Sequence, residues 1–168
     1  MGQESYVLQM TDIAFPVTHS ETVIDEWVDY NGHMNLAFYV LIFDRGTDGF
    51  LETIGMTAAH REATGSSVFV AETHVNYRAE VMSGEPVSVE TRVIDFDSKR
   101  LHLYHEMRSP AGIAASNELM ILHVDLTSRR VCPFPVDVFE SLSEIAERDM
   151  SVPRPSDVGR SIGIRRGT

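Results

Sequence analysis

Apolar residues crowd the chain from Leu36 to Phe43, where Leu36, Ala37, Phe38, Tyr39, Val40, Leu41, Ile42 and Phe43 follow one another without a charged break. A run this long and continuous does not suit a surface strand. Extended over residues 34–54 it predicts a helix that is apolar on several sides in its first half, and therefore buried, with Gly55 placed to cap its C-terminus. Upstream, residues 13–28 mix β-branched and polar side chains and predict a first strand. Downstream, beyond a loop around Thr64-Gly65-Ser66-Ser67, strand character returns over residues 68–77, 86–96, 101–107 and 119–126. Val87, Val89, Thr91 and Val93 alternate, as do Leu101, Leu103 and His105. Gly84-Glu85-Pro86, Asp97-Ser98-Lys99 and Ser109-Pro110-Ala111-Gly112 supply turns, and such short consecutive connections favour an antiparallel meander over crossover units. Pro135 opens a second helix with Phe139, Leu142, Ile145 and Ala146 on one face.

One strand, a buried helix and then a sheet form an informative order. A helix with little polar surface has to be enclosed, and a curved antiparallel sheet of about five strands can wrap it, which predicts an α+β domain. At 168 residues and 43% hydrophobic content the chain is long enough for one core and hardly for two. The expected organisation is a single domain over residues 1–150 followed by an arginine-containing tail over 151–168.

A net charge of −11 argues against nucleic acid or an anionic membrane as the main partner. Cys132 is the sole cysteine, so no intramolecular disulfide or cysteine metal site can form. No basic and apolar leader opens the sequence, and no stretch of about 18 apolar residues occurs, so a cytoplasmic protein without an anchor is expected.

The chemistry gathers just before the long helix, in Asp29-Tyr30-Asn31-Gly32-His33-Met34-Asn35. Asn31-Gly32 is a turn signal, and it sets a carboxylate and an imidazole at a helix N-terminus. That end carries unpaired N–H groups and partial positive charge, so it can hold an oxyanion while Asp29 attacks a carbonyl or activates water. Duller roles compete: Asp29 could merely bond local N–H groups, His33 could bond a nearby carbonyl, and Asn35 is a favoured N-cap.

Asp29, Gly32, His33, Asn35 and Tyr39 resemble the signature loop and helix start of hotdog-fold acyl-CoA thioesterases of the 4-hydroxybenzoyl-CoA thioesterase-like group. Residues 23–44 are more specifically similar to the betainyl-CoA thioesterases of carnitine breakdown, some of which are fused to a carnitine dehydrogenase. The resemblance implies a hotdog fold, an acyl-CoA substrate that brings its own coenzyme A, no separate cofactor, and a homodimer or dimer of dimers with sites shared between subunits. It implies Asp29 as nucleophile or general base, with His33 and Asn35 beside it and the backbone N–H groups of Asn35 and Leu36 polarising the thioester carbonyl.

For a trimethylammonium acyl group, Trp27, Tyr30, Phe38, Tyr39, Phe43 and Tyr77 are candidate aromatic walls, against the plain alternative that they are core. Glu72 and His74 share a strand face that either reaches the site or is solvated. The tail reverses the overall charge, and Arg160 and Arg165 there, with Arg100 and Arg129 at strand ends, are candidates for the coenzyme A phosphates; a tail that covers a partner competes. Gly159-Arg160-Ser161-Ile162-Gly163 matches a hydrolase nucleophile pattern, but neither a preceding strand nor a following Asp and His supports it. His102 and His105 would point to opposite sides of a strand, and no metal site is expected. A hydratase on the same fold and a non-catalytic acyl-CoA-binding module are the rival functions.

Overall fold

In the computed structural model, residues 15–164 are described. A strand β1 (Val17–Thr22) and a short 3-10 turn (Asp25–Trp27) lead into helix α1 (Leu36–Thr53). Helix α2 (Ala58–Thr64) follows, then strands β2 (Ser66–Tyr77), β3 (Pro86–Phe96), β4 (Arg100–Ser109), β5 (Gly112–Asp125) and β6 (Arg130–Val131), and helix α3 (Val136–Met150). All pairings are antiparallel, and the curved sheet runs in the order β1-β3-β4-β5-β2, with β6 also on β5. This is the hotdog arrangement that the resemblance implied.

The meander expectation holds for β3, β4 and β5 but not for β2, which lies beyond β5 rather than beside β3. Helix α1 accounts for the difference, because it carries the chain away from β1 and β2 then forms the opposite edge of the sheet. The first strand is shorter than expected; Ile13 lies outside the described residues, and the chain from Asp25 to Trp27 turns. Ser66 and Ser67 belong to β2 rather than to the loop. Strand β5 starts at Gly112, well before residue 119, because its first half is built from small or polar residues whose alternation carries little hydrophobic signal. Met107 opposite Ala115 and Ser109 opposite Gly112 show that β4 fixes that half by pairing.

Helix α1 ends as its sequence suggests. Gly55, at φ +84°, lets the N–H of Gly55 reach the Glu52 carbonyl (3.1 Å) and that of Met56 reach Leu51 (2.9 Å), the paired bonds of a Schellman cap. Its buried face is Tyr39, Ile42, Phe43, Gly46, Thr47, Phe50 and Leu51. The first half of this face packs with Val23, Trp27, Met34, Val87, Val89 and Met107; the second packs with β3–β5 and with Phe134, Val138, Leu142 and Ala146 around α3. Enclosure is one-sided, however. Leu36, Ala37, Val40, Asp44 and Asp48 form an exposed stripe, so among the described residues one side of α1 is open.

Two glycines let the helix lie close to the sheet. A Cβ at Gly46 would come within 2.7 Å of Val89 Cγ1, and one at Gly49 would collide with the backbone carbonyl oxygen of Thr18 on β1. Between the two halves of the core His105 is fully buried, its Nδ1 2.8 Å from the Thr91 hydroxyl and its Nε2 3.0 Å from the Thr47 hydroxyl. The Thr47 hydroxyl donates to the Phe43 carbonyl, so it accepts from His105 Nε2–H. Burial pushes the His105 pKa down to about 3, and the ring is a neutral structural link between α1, β3 and β4.

Among the described residues no helix is long and apolar enough to cross a membrane. The expected outcome of Gly49→Ala is a loss of about 2 kcal/mol in urea unfolding, because moving a backbone strand outweighs the roughly 1 kcal/mol that alanine adds to an isolated helix. A variant more stable than the parent would show that α1 does not depend on this approach.

Candidate active site

The loop before α1 is a small closed hairpin. Val28 bridges Met34, the Gly32 N–H donates to the Asp29 carbonyl (2.9 Å), and the Asp29 N–H donates to the His33 carbonyl (3.2 Å). Gly32 takes φ +85°, which a residue with a Cβ rarely adopts. The Met34 N–H donates to the Val81 carbonyl (2.8 Å), and this joins the hairpin to the segment that follows β2.

At the helix start one side chain makes two bonds. Asn35 Oδ1 accepts from the Ala37 N–H (3.0 Å), capping α1, while Asn35 Nδ2 donates to Asp29 Oδ2 (3.1 Å). Asp29 Oδ1 accepts from the Asn31 N–H (2.8 Å). The Asn31 N–H, the Asn35 amide and the charge of His33 together outweigh partial desolvation and hold the Asp29 pKa below its ordinary 3.8. The carboxylate is therefore ionised at neutral pH. The local roles weighed for Asp29 and Asn35 are both present, and they fix the carboxylate at the helix tip.

The two N–H groups assigned to the oxyanion differ. That of Asn35 is already used, since it donates to the Trp27 carbonyl at 2.8 Å. That of Leu36 has no acceptor among the described residues, so the pair reduces to a single open donor. Leu36 itself is 62% exposed. His33 Nδ1 lies 3.2 Å from the Met34 carbonyl, an acceptor, so that nitrogen carries a proton; Nε2 faces Glu80 at 3.7 Å.

Beside this tip opens a cleft of about 290 Å³, lined by His33, Met34, Leu36, Tyr39, Tyr77, Arg78, Ala79 and Glu80. Tyr39 and Tyr77 meet edge to face at 5.2 Å; the Tyr39 hydroxyl donates to the Ala79 carbonyl (3.1 Å) and the Tyr77 hydroxyl to the Leu36 carbonyl (3.3 Å). Asp29 is not among the lining residues in the single chain; it stands at the open side of the same tip.

The structure separates the six aromatic candidates. Trp27 is buried, stacked on Phe38 at 5.3 Å, with the Arg45 guanidinium 5.6 Å from its ring centre. Phe43 is fully buried and stacks on His105. Trp27 and Phe43 are therefore packing residues, and Phe38, partly buried against Trp27, goes with them. Tyr30 is 97% exposed on the turn. Tyr39 and Tyr77 reach the cleft.

The arginine candidates are not brought to it. Arg100 is engaged by Asp97 (Nε to Oδ2, 2.7 Å) at the β3–β4 turn, and Arg129, at φ 58°, lies over the Phe69 ring at 5.0 Å. Arg160 lies 3.3 Å from Asn76 Oδ1, and with Glu72, His74, His102 and Glu118 it lines a cleft separate from the one at the helix tip. Arg165 lies outside the described residues. Arg78 and Glu80, which sequence reasoning passed over, line the cleft; their signal was modest, two charges directly after a strand that ends at Tyr77. Among the described residues no cluster of three or more metal-ligating side chains occurs.

Residues 23–144 match the family described as the thioesterase-like superfamily. The chain belongs to that superfamily. It is a thioester hydrolase on the hotdog fold. It is similar to the betainyl-CoA thioesterase of Pseudomonas aeruginosa, with 40% identity over 88% of this chain and 94% of that protein. It also resembles the L-carnitine dehydrogenase/betainyl-CoA thioesterase of Ruegeria pomeroyi at 35% identity over 92% of this chain; the chain spans about a third (32%) of that longer protein. Among solved structures, a hypothetical Staphylococcus aureus protein in complex with CoA superposes with a TM-score of 0.83 at 28% identity, covering 92% of this chain and 99% of that one.

Because Trp27 is packed on both sides, Trp27→Ala is expected to lower unfolding stability by about 3 kcal/mol. Any change in turnover should be equal for cationic and neutral acyl groups, as comparison of paired substrates would show; a selective loss on the cationic one would return Trp27 to the site.

Proposed function

We propose that this chain hydrolyses betainyl-CoA to betaine and free coenzyme A, in the breakdown of carnitine, as a cytoplasmic homodimer or dimer of dimers. The observation that carries the reading is the Asn35 amide, which ties the Asp29 carboxylate to the end of α1 where, among the described residues, the Leu36 N–H lacks a partner at the mouth of a cleft. A thioester carbonyl lodged there would point its oxygen at the Leu36 N–H and at the positive helix end, which stabilise the charge as it develops. Asp29, ionised and oriented, then attacks the carbonyl carbon or draws a proton from an attacking water; both routes use the same carboxylate. The leaving thiol has a pKa of about 8.5 and departs as thiolate without prior protonation, so one carboxylate and one oxyanion site suffice.

The acyl head would lie against Tyr39 and Tyr77 with Glu80 nearby, a combination of ring faces and negative charge suited to a quaternary ammonium. The names of the relatives above support the same substrate. A second copy would close the open side of Asp29. The outer edge of β2 has no neighbour among the described residues, and Phe69, Val70, Tyr77, Leu36 and Val40 are exposed apolar side chains on β2 and α1.

Asp29→Asn keeps the shape and removes the anion, and it is expected to lower kcat by at least about a hundredfold with the fold intact. Thiol release from betainyl-CoA, a neutral analogue and aromatic acyl-CoAs measures this, and normal turnover by the variant would refute the mechanism. In the parent protein the acid limb of activity should fall below about pH 3.8, since the Asp29 pKa is lowered and the anion is lost only as pH drops through it.

A further inference from the structure

Asp157, beyond α3, joins parts of the chain far apart in sequence. Its carboxylate accepts from the Tyr104 hydroxyl (2.7 Å) and the Ser116 hydroxyl (2.8 Å) and pairs with Arg78 (2.6 Å), with its side chain 11% exposed. The segment around it crosses the sheet face opposite α1. On β4, Leu101, Leu103 and His105 point to α1, so Tyr104 is on the other face. The strap is anchored at β3, where Arg92 donates to the carbonyls of Asp149, Val152 and Pro153 at 3.0 Å each. It reaches β5 and β2 through the Gly159 N–H to Glu118 (2.8 Å) and Arg160 to Asn76 (3.3 Å).

Arg78 is therefore shared between two places. It is part of the cleft wall, yet its guanidinium is bonded to Asp157 on the far side of the sheet. Glu106 also acts on Arg78, but its carboxylate is engaged by Arg108 (3.2 Å), so Asp157 is the direct partner. An unpaired arginine beside this cleft would cancel Glu80 and repel a cationic acyl head. With Arg78 neutralised, Glu80 has among the described residues no other cation within salt-bridge distance than His33, at 3.7 Å.

We propose that Asp157 is a positioning residue for substrate selectivity: it draws the Arg78 guanidinium onto the sheet and neutralises it, leaving Tyr39, Tyr77 and Glu80 to receive a quaternary ammonium group. This rests on the betainyl reading of the cleft. It gives the strap a task in the site that does not involve touching coenzyme A.

The test is binding of two non-hydrolysable CoA thioethers by calorimetry, one ending in a trimethylammonium group and the other in its neutral tert-butyl counterpart. The parent protein should prefer the cationic ligand. Asp157→Asn keeps hydrogen-bonding capacity for the two hydroxyls and loses the charge; it should weaken the cationic ligand about tenfold and the neutral one less than twofold. Adding Arg78→Met to that variant should restore the preference. Equal weakening of both ligands would make the strap merely structural. Tightening of both would make the freed Arg78 a phosphate ligand, and either result, or no change, overturns the proposal. Should Asp157→Asn fail to fold by circular dichroism, Arg78→Met alone decides, since the cationic preference must hold or rise and a fall refutes it. Failure of the functional reading looks different: the ligands would be discriminated in binding, while no acyl-CoA releases thiol.

Discussion

A single side-chain amide, that of Asn35, brings the two halves of the site together. Its oxygen caps α1 through Ala37 and its nitrogen holds Asp29, so the position of the carboxylate is set by the position of the helix. The helix is in turn set by close contact with the sheet, where Gly46 and Gly49 allow backbone to approach β1 and β3. Geometry at the tip thus depends on packing several turns away, and under the proposed mechanism an error in helix placement would become an error in where the carbonyl meets the acid.

Much of this was legible in the chain. The unbroken apolar run announced α1, Gly55 its end, and Asn31-Gly32 the turn that carries Asp29, because each rests on local chemistry with few alternatives. The place of β2 was not legible, since strand order depends on where α1 carries the chain. Nor was the first half of β5, whose Ala114, Ala115, Ser116 and Asn117 are held by neighbours rather than by hydrophobic alternation. Of the aromatic residues near the motif, sequence could not divide Trp27 and Phe43, which pack, from Tyr39 and Tyr77, which reach the cleft. The tertiary structure decides that by choosing which ring faces are already covered. Arg78 and Glu80 were hidden for the same reason.

Among the described residues three features on connected elements are unpartnered: one side of α1, the outer edge of β2 and the open approach to Asp29. The proposed second copy, placed there, would dry the site and strengthen both the helix-end field and the attraction of the proposed cationic head to aromatic and carboxylate groups. On the opposite face the tail is laid down by Arg92 and Asp157, so the two sides of the sheet have separate tasks: one shapes the cleft, the other holds a charge away from it.

The most direct measurement is a crystal structure with an inert ketone analogue of the acyl-CoA bound. The carbonyl oxygen is expected about 3 Å from the Leu36 N–H, with the Asp29 carboxylate facing the carbonyl carbon. A carbonyl bound elsewhere, with Asp29 pointing into solvent, would contradict it.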